Sequence, residues 1–192
     1  LGIRQSTTYF LGKGIYSEDE IKRAITQIWV LTSFVSLITC YFLITYFSES
    51  GSKLSWVLLA ILPVPFNLFI TYNSGIFLGK NDIKTFNRVN WIPPLIILSL
   101  NILLVIGFSM GVAGALIAII GGPVFMAVVM LFKNDFLKAF SIHFDFKIIK
   151  SMLSLGLVYA FALLMISLNY KVDVIILDKL SSSYELGIYS KG

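Results

Sequence analysis

Asn169, Lys171 and Asp173 fall within five residues of one another, directly after an eighteen-residue run without charge, Ser151 to Leu168. An amide, a cation and a carboxylate at that spacing could hold a polar or anionic solute, or couple its movement to an ion. The run is long enough to be read as a membrane span. Ionisable residues packed against such a run are a functional-site hypothesis by default. Two depths stay open for them. Counting about 20 residues from Ser151 puts the group at the outer interface, where a Lys–Asp pair costs little. Val174 to Leu177 is apolar again, and if it is also embedded the pair is immersed. An ionised residue at the bilayer centre then costs about 2.5–3.5 kcal/mol and needs a partner or water.

Other chemistry is excluded by what the chain lacks. Its one histidine, His143, lies in a loop, so no metal cluster or histidine-based catalytic centre can be assembled. There is no glycine-rich phosphate loop, no Ser/His/Asp set and no cofactor motif. The single Cys40 sits in an apolar run and reads as a small core residue. No carboxylate falls inside the first four apolar runs, so ion coupling within this stretch would rest on Asp173 or Asp178. The composition does not describe an enzyme.

The elements that must position these residues follow from composition and hydropathy. The chain has 192 residues, 57% apolar and 13% charged, against about a quarter charged in soluble domains. Five apolar runs are expected to span a bilayer: Ile25 to Phe47, Leu54 to Phe77, Trp91 to Phe108, Val112 to Phe132, and the run from Ile148 onward. Ser17 followed by Glu18, Asp19 and Glu20 predicts a capped helix start at about position 18. The net charge of +5 does not indicate nucleic acid, because the basic residues cluster between apolar runs. Segments 1–24, 78–90 and 133–150 hold eleven Lys/Arg, and 48–53 and 109–111 hold one. That imbalance predicts a cytoplasmic N-terminal loop and a fifth span running outward. Trp29, Trp56 and Trp91 near the starts of spans are expected in the headgroup layer.

Polar features inside the spans are fewer. Pro63, Pro65 and Asn67 predict an interrupted second span, either an ordinary kink or part of a transport site. Asn101, at a similar depth on the antiparallel third span, could bond Asn67 or line one cavity with it. Thr32, Ser36 and Thr39 form a stripe that suits either packing or a wet lumen. Gly114, Ala118 and Gly122 predict a flat face for close helix approach. The aromatic and basic segment Lys133 to Lys147 is expected along the membrane surface.

Three stretches resemble the polysaccharide and O-antigen flippases of the multidrug/oligosaccharidyl-lipid/polysaccharide (MOP) exporter superfamily. NYKVDVIILDKLSSSYELGIYSKG (169–192) resembles that family's seventh helix and the loop after it. MGVAGALIAII (110–120) resembles the start of its sixth helix, and STTYFLGKGIYSEDEIKRAI (6–25) the end of its second helix and the following loop. The family often carries proline early in the seventh helix, where this chain reads Leu157-Val158, a departure that bears on the bend of that helix.

The resemblance implies an all-α, MATE/MOP-like helical bundle of which this chain is an internal piece. Residues 1–132 would belong to the first lobe, from the end of helix two through helix six. Residues 133–147 would be a cytoplasmic connector, and 148–192 would open the second lobe. It implies a transporter of the bacterial plasma membrane that passes a lipid-linked glycan outward by alternating access, in polysaccharide or lipopolysaccharide biosynthesis. The implied partners are that glycan, membrane lipid and other polysaccharide-assembly proteins. Arg4 and Lys171 would contact its phosphates, because a cation favours an anion where the dielectric is low. Asp173 would hold Lys171 or serve coupling, and Asn67, Asn101 and Asn169 would bond sugar hydroxyls. A multidrug/cation antiporter of the same superfamily and a multi-spanning membrane transferase are the alternatives.

Overall fold

The computed structural model describes residues 2–47, 53–133, 136 and 145–180, the side chains of 133, 170, 171 and 173–180 excepted. These residues form seven α-helices: α1 (Gly2–Gly12), α2 (Glu18–Phe47), α3 (Leu54–Ile61), α4 (Pro63–Gly79), α5 (Ile83–Asn101), α6 (Gly111–Lys133) and α7 (Phe146–Leu180). A π-helical turn, Ile102–Gly107, prolongs α5. Five stretches are long and apolar enough to cross a membrane: Glu18–Phe47, Leu54–Gly79, Ile83–Gly107, Gly111–Phe132 and Phe146–Asn169. They coincide with the five expected runs. The chain is a multi-pass membrane protein.

The helix ends are written in short polar motifs. Ser17 and Glu20 form a reciprocal capping box, the Ser17 amide donating to Glu20 Oε2 at 2.8 Å and the Glu20 amide to Ser17 Oγ at 3.3 Å. This satisfies two donors that a helix start leaves unpaired and bears out the expected start. At the end of α4, Asn81 takes the left-handed conformation, φ 57°. The Asn81 amide donates to the Leu78 carbonyl and the Asp82 amide to the Phe77 carbonyl, the double closure of a Schellman end. Asp82 then accepts from the Thr85 amide at 3.0 Å and starts α5, so one residue ends a helix and begins the next. Asp145 Oδ1 accepts from the amides of Lys147 and Ile148 at the head of α7.

The expected interruption of the second span falls at Leu62. That residue stays right-handed, φ −56° and ψ −36°, and its amide still donates to the Leu58 carbonyl. The break is a kink, with no unwound segment. Pro63 and Pro65 have no amide hydrogen to give one turn back, at Leu59 and Ile61.

Close helix approach organises the bundle. The expected small-residue face of α6 meets α5: Ala118 is fully buried, and a methyl on Gly122 would come within 2.5 Å of the Pro93 carbonyl. Helix α1 is wedged between α4 and α7. It runs alongside α4 in the same direction, Gly75 facing Arg4 and Thr7, and Gly79 facing Leu11. It opposes α7, Gly2 lying against Gly156 and Ser6 Oγ donating to the Met152 carbonyl at 2.9 Å.

The apolar core, including Ile21, Ile25, Phe69, Ile76, Met130, Phe136 and Met152, fills the half of the bundle where α2 and α7 begin. Lys80 meets Glu18 at 2.8 Å and the Tyr16 hydroxyl donates to Ser151 Oγ at 3.4 Å. The charged segments 1–24, 78–90 and 145–150 therefore share one end. Beyond the core, α2 and α7 expose apolar side chains, among them Phe34 and Phe161.

Two sequence expectations need correction. Trp29, expected to face the headgroup layer, is turned into the bundle: its indole Nε1 donates to the Pro65 carbonyl at 2.7 Å and its ring stands edge-on to Phe69. Phe136, expected along the membrane surface, is fully buried against Phe69 and Lys22. Most of that surface segment lies outside the described residues.

Candidate functional site

Arg4 is the expected site residue that the fold places between helices. Ser6 bonds the Met152 carbonyl and Gly2 lies against Gly156, so the Arg4 backbone is level with about the ninth residue of α7, roughly 12 Å along its axis. The backbone approaches α4 closely because residue 75 is glycine: a methyl there would come within 2.5 Å of the Arg4 carbonyl. Thr8 Oγ1 completes the seam, donating to the Arg4 carbonyl at 3.0 Å and to the Gly75 carbonyl at 3.2 Å. The Arg4 side chain then extends to α5, its guanidinium carbon 6.0 Å from the centre of the Phe86 ring.

Arg4 is half-buried, and its Nε is shut off from solvent with no hydrogen-bond partner among the described residues. The neighbouring Gln5 Oε1 is in the same condition. A buried polar group left unpaired costs about 1–3 kcal/mol, more when charged. Contact with the Phe86 ring face returns about 0.5–2 kcal/mol, but a ring face is only a weak acceptor for an N–H. The arrangement can accept an anionic or hydroxyl-bearing group.

The other expected residues are not gathered around Arg4. Asn67 is exposed on α4. Asn101 is half-buried and donates to the Ile97 carbonyl of its own helix at 2.9 Å, where α5 passes into its π turn. Asn67 and Asn101 do not bond each other, and the interhelical amide link expected of them is not formed. Asn169 is exposed. The side chains of Lys171 and Asp173 lie outside the described residues, but α7 continues through them unbroken to Leu180. Helical spacing sets positions 169 and 173 on one face and position 171 on another, and residues two apart on a helix do not face each other.

Polar residues absent from the sequence reading turn out to be central. Asn73 is fully buried; its Nδ2 donates to the Phe69 carbonyl at 2.8 Å and its Oδ1 has no partner among the described residues. Ser6 and Thr7 are fully buried on α1. The available signals were two small-residue pairs four apart, Gly75 with Gly79 and Gly156 with Ala160, which mark faces for close approach.

Charge is arranged separately at the polar end. Glu18 bridges Lys22 at 2.9 Å and Lys80 at 2.8 Å, and Lys22 Nζ lies 5.0 Å from the Phe136 ring centre. A polar cavity of about 230 Å³, lined by Glu20, Arg23, Gln27 and Asp145, opens nearby between α2 and α7. Arg4 does not line it, and the two features are distinct. Asp82 is held below its ordinary carboxylate value by the side-chain and backbone hydrogen bonds of Thr85.

Comparisons with protein-family profiles, with curated proteins and with solved structures return no match for this chain.

Proposed function

We propose that this chain is part of a flippase of the MOP exporter superfamily, moving a lipid-linked oligosaccharide or polysaccharide unit across the bacterial plasma membrane by alternating access. The observation that carries this reading is Arg4: a cation seated among three helices of a membrane bundle, with a buried N–H that no described residue accepts. A cation held at low dielectric favours an anionic group, and ionisable residues among spans mark substrate paths. A lipid-linked glycan brings phosphate and many hydroxyls.

The charge distribution supports an anionic cargo over the cation antiporter. The four spans of the first lobe, from Ile25 through Phe132, hold no Asp or Glu, and a cation exchanger requires an embedded carboxylate. The basic end of the bundle is assigned to the cytoplasm on the excess of Lys/Arg there.

The test is complementation of a flippase-deficient strain with the full-length protein, reading surface glycan and membrane insertion. Arg4→Ala should insert normally and export poorly, with Arg4→Lys intermediate because it keeps charge and loses the planar fork. Export at the wild-type level by Arg4→Ala would remove this residue from the mechanism.

A further inference from the structure

The exposed face of α5 and its π-helical extension carries a graded stripe. Lys84, Arg88, Trp91, Leu95, Leu98 and Ile102 recur at spacings of four and three, which keeps them in a single stripe. All six are exposed, Trp91 at 67%, Leu98 at 58% and Ile102 at 54%. The order along the stripe is cation, cation, indole, then aliphatic. Neither cation is ion-paired with a carboxylate among the described residues. Asp82 lies within electrostatic reach of Arg88, and one of its oxygens, Oδ1, accepts from the Thr85 amide.

At 1.5 Å per residue, Arg88 and Lys84 stand roughly 5 and 10 Å beyond Trp91 along the axis. Indole rings settle at the headgroup level, so the two cations reach the phosphate layer while Leu95, Leu98 and Ile102 lie along acyl chains. We infer that this stripe is a binding site for an anionic phospholipid, its phosphate held by Lys84 and Arg88, its glycerol region beside Trp91 and one acyl chain on the aliphatic residues. The occupant is a lipid because the stripe lies on a membrane-spanning helix. It is an anionic one because two cations share this face, neither is ion-paired among the described residues, and Asp82 is the one carboxylate shown within electrostatic reach of Arg88. The inference stands independently of what the protein transports.

The test uses full-length protein in mixed micelles holding equal phosphatidylglycerol and phosphatidylcholine, with retained lipid read by native mass spectrometry. Each basic residue near an anionic surface contributes roughly a fivefold preference, so Lys84→Gln/Arg88→Gln should lower retention of phosphatidylglycerol over phosphatidylcholine roughly 30-fold. Lys84→Arg/Arg88→Lys should restore it. The control Lys147→Gln/Lys150→Gln removes two exposed cations from the start of α7 at the same end of the bundle, where the face continues through Ser154, Leu157 and Phe161 with no indole beside the cations, and should leave the preference largely unchanged. An unchanged preference in the α5 variant would overturn the site. Equal losses in the α5 and α7 variants would also do so, since they would show a diffuse attraction. All four residues are exposed, and unchanged thermal unfolding of the variants keeps the comparison valid.

Discussion

The indole of Trp29 donates to the carbonyl of Pro65 across 2.7 Å, joining α2 to the helix that resumes after the proline break. The same indole stands 5.4 Å from the Phe69 ring, nearly perpendicular to it. The helix that resumes after the prolines is thereby tied to α2 by a side-chain bond to its backbone. Trp29→Phe keeps most of the volume and deletes the donor. Interhelical hydrogen bonds in membranes average about 0.6 kcal/mol and reach about 1.7. A modest fall in thermal unfolding temperature in detergent is expected, with a larger one for Trp29→Ala, which also leaves a cavity. Equal stability of Trp29→Phe and wild type would show that the bond contributes nothing.

Glycines on α4 and α1 should respond very differently to a methyl. At Gly75 the added carbon would meet the Arg4 carbonyl at 2.5 Å and Thr7 Cβ at 2.8 Å, and backbone cannot move aside without shifting α1. At Gly12 the nearest atom is the Gly79 carbonyl at 3.7 Å, an ordinary contact. Gly75→Ala should therefore cost on the order of 1–3 kcal/mol by overpacking and disturb the Arg4 seam. Gly12→Ala should be nearly neutral. Unfolding temperature and protease susceptibility of α1 read both effects, and the order of the two variants is the decisive outcome.

Glu18 holds two lysines of unequal burial, and each should report its own surroundings. The Lys22 side chain is 10% exposed and the Lys80 side chain 50%. Glu18→Gln removes a carboxylate that the buried Lys22 pairs with, at roughly 1–3 kcal/mol. Lys80→Ala breaks a solvent-screened contact and should cost below about 1 kcal/mol. Added salt should narrow the second difference more than the first. A Lys80→Ala variant less stable than Glu18→Gln would contradict this assignment.

Acid should loosen the turn between α4 and α5. Thr85 holds the Asp82 carboxylate below its ordinary value of 3.8, so its stabilising effect is complete above that value. It disappears as pH falls through the lowered folded-state value. Hydrogen exchange at the first turn of α5 should rise over that acidic interval in wild type. Asp82→Asn should remove the dependence, because an amide caps a helix without titrating.

Much of the architecture was legible because its signals are local or periodic. The Ser17–Glu20 cap, the Pro63 and Pro65 break, the five apolar lengths and the flat Gly114–Ala118–Gly122 face each rest on a few neighbouring residues. Each appears where expected. The gathering of basic segments at one end was also foreshadowed, since successive spans must alternate in direction.

Facing was not legible. Asn67, singled out from the sequence, lies exposed, while Asn73 on the same helix is fully buried. Trp29 turns inward to a carbonyl and Trp91 turns outward. A helix apolar on every side carries no stripe to tell core from lipid, because hydrocarbon tails are as apolar as leucine. Length and hydropathy determined that these helices cross the membrane. Only the packing of α1 between α4 and α7, through glycines that let backbones touch, decided which polar atoms would be shut inside and left wanting a partner.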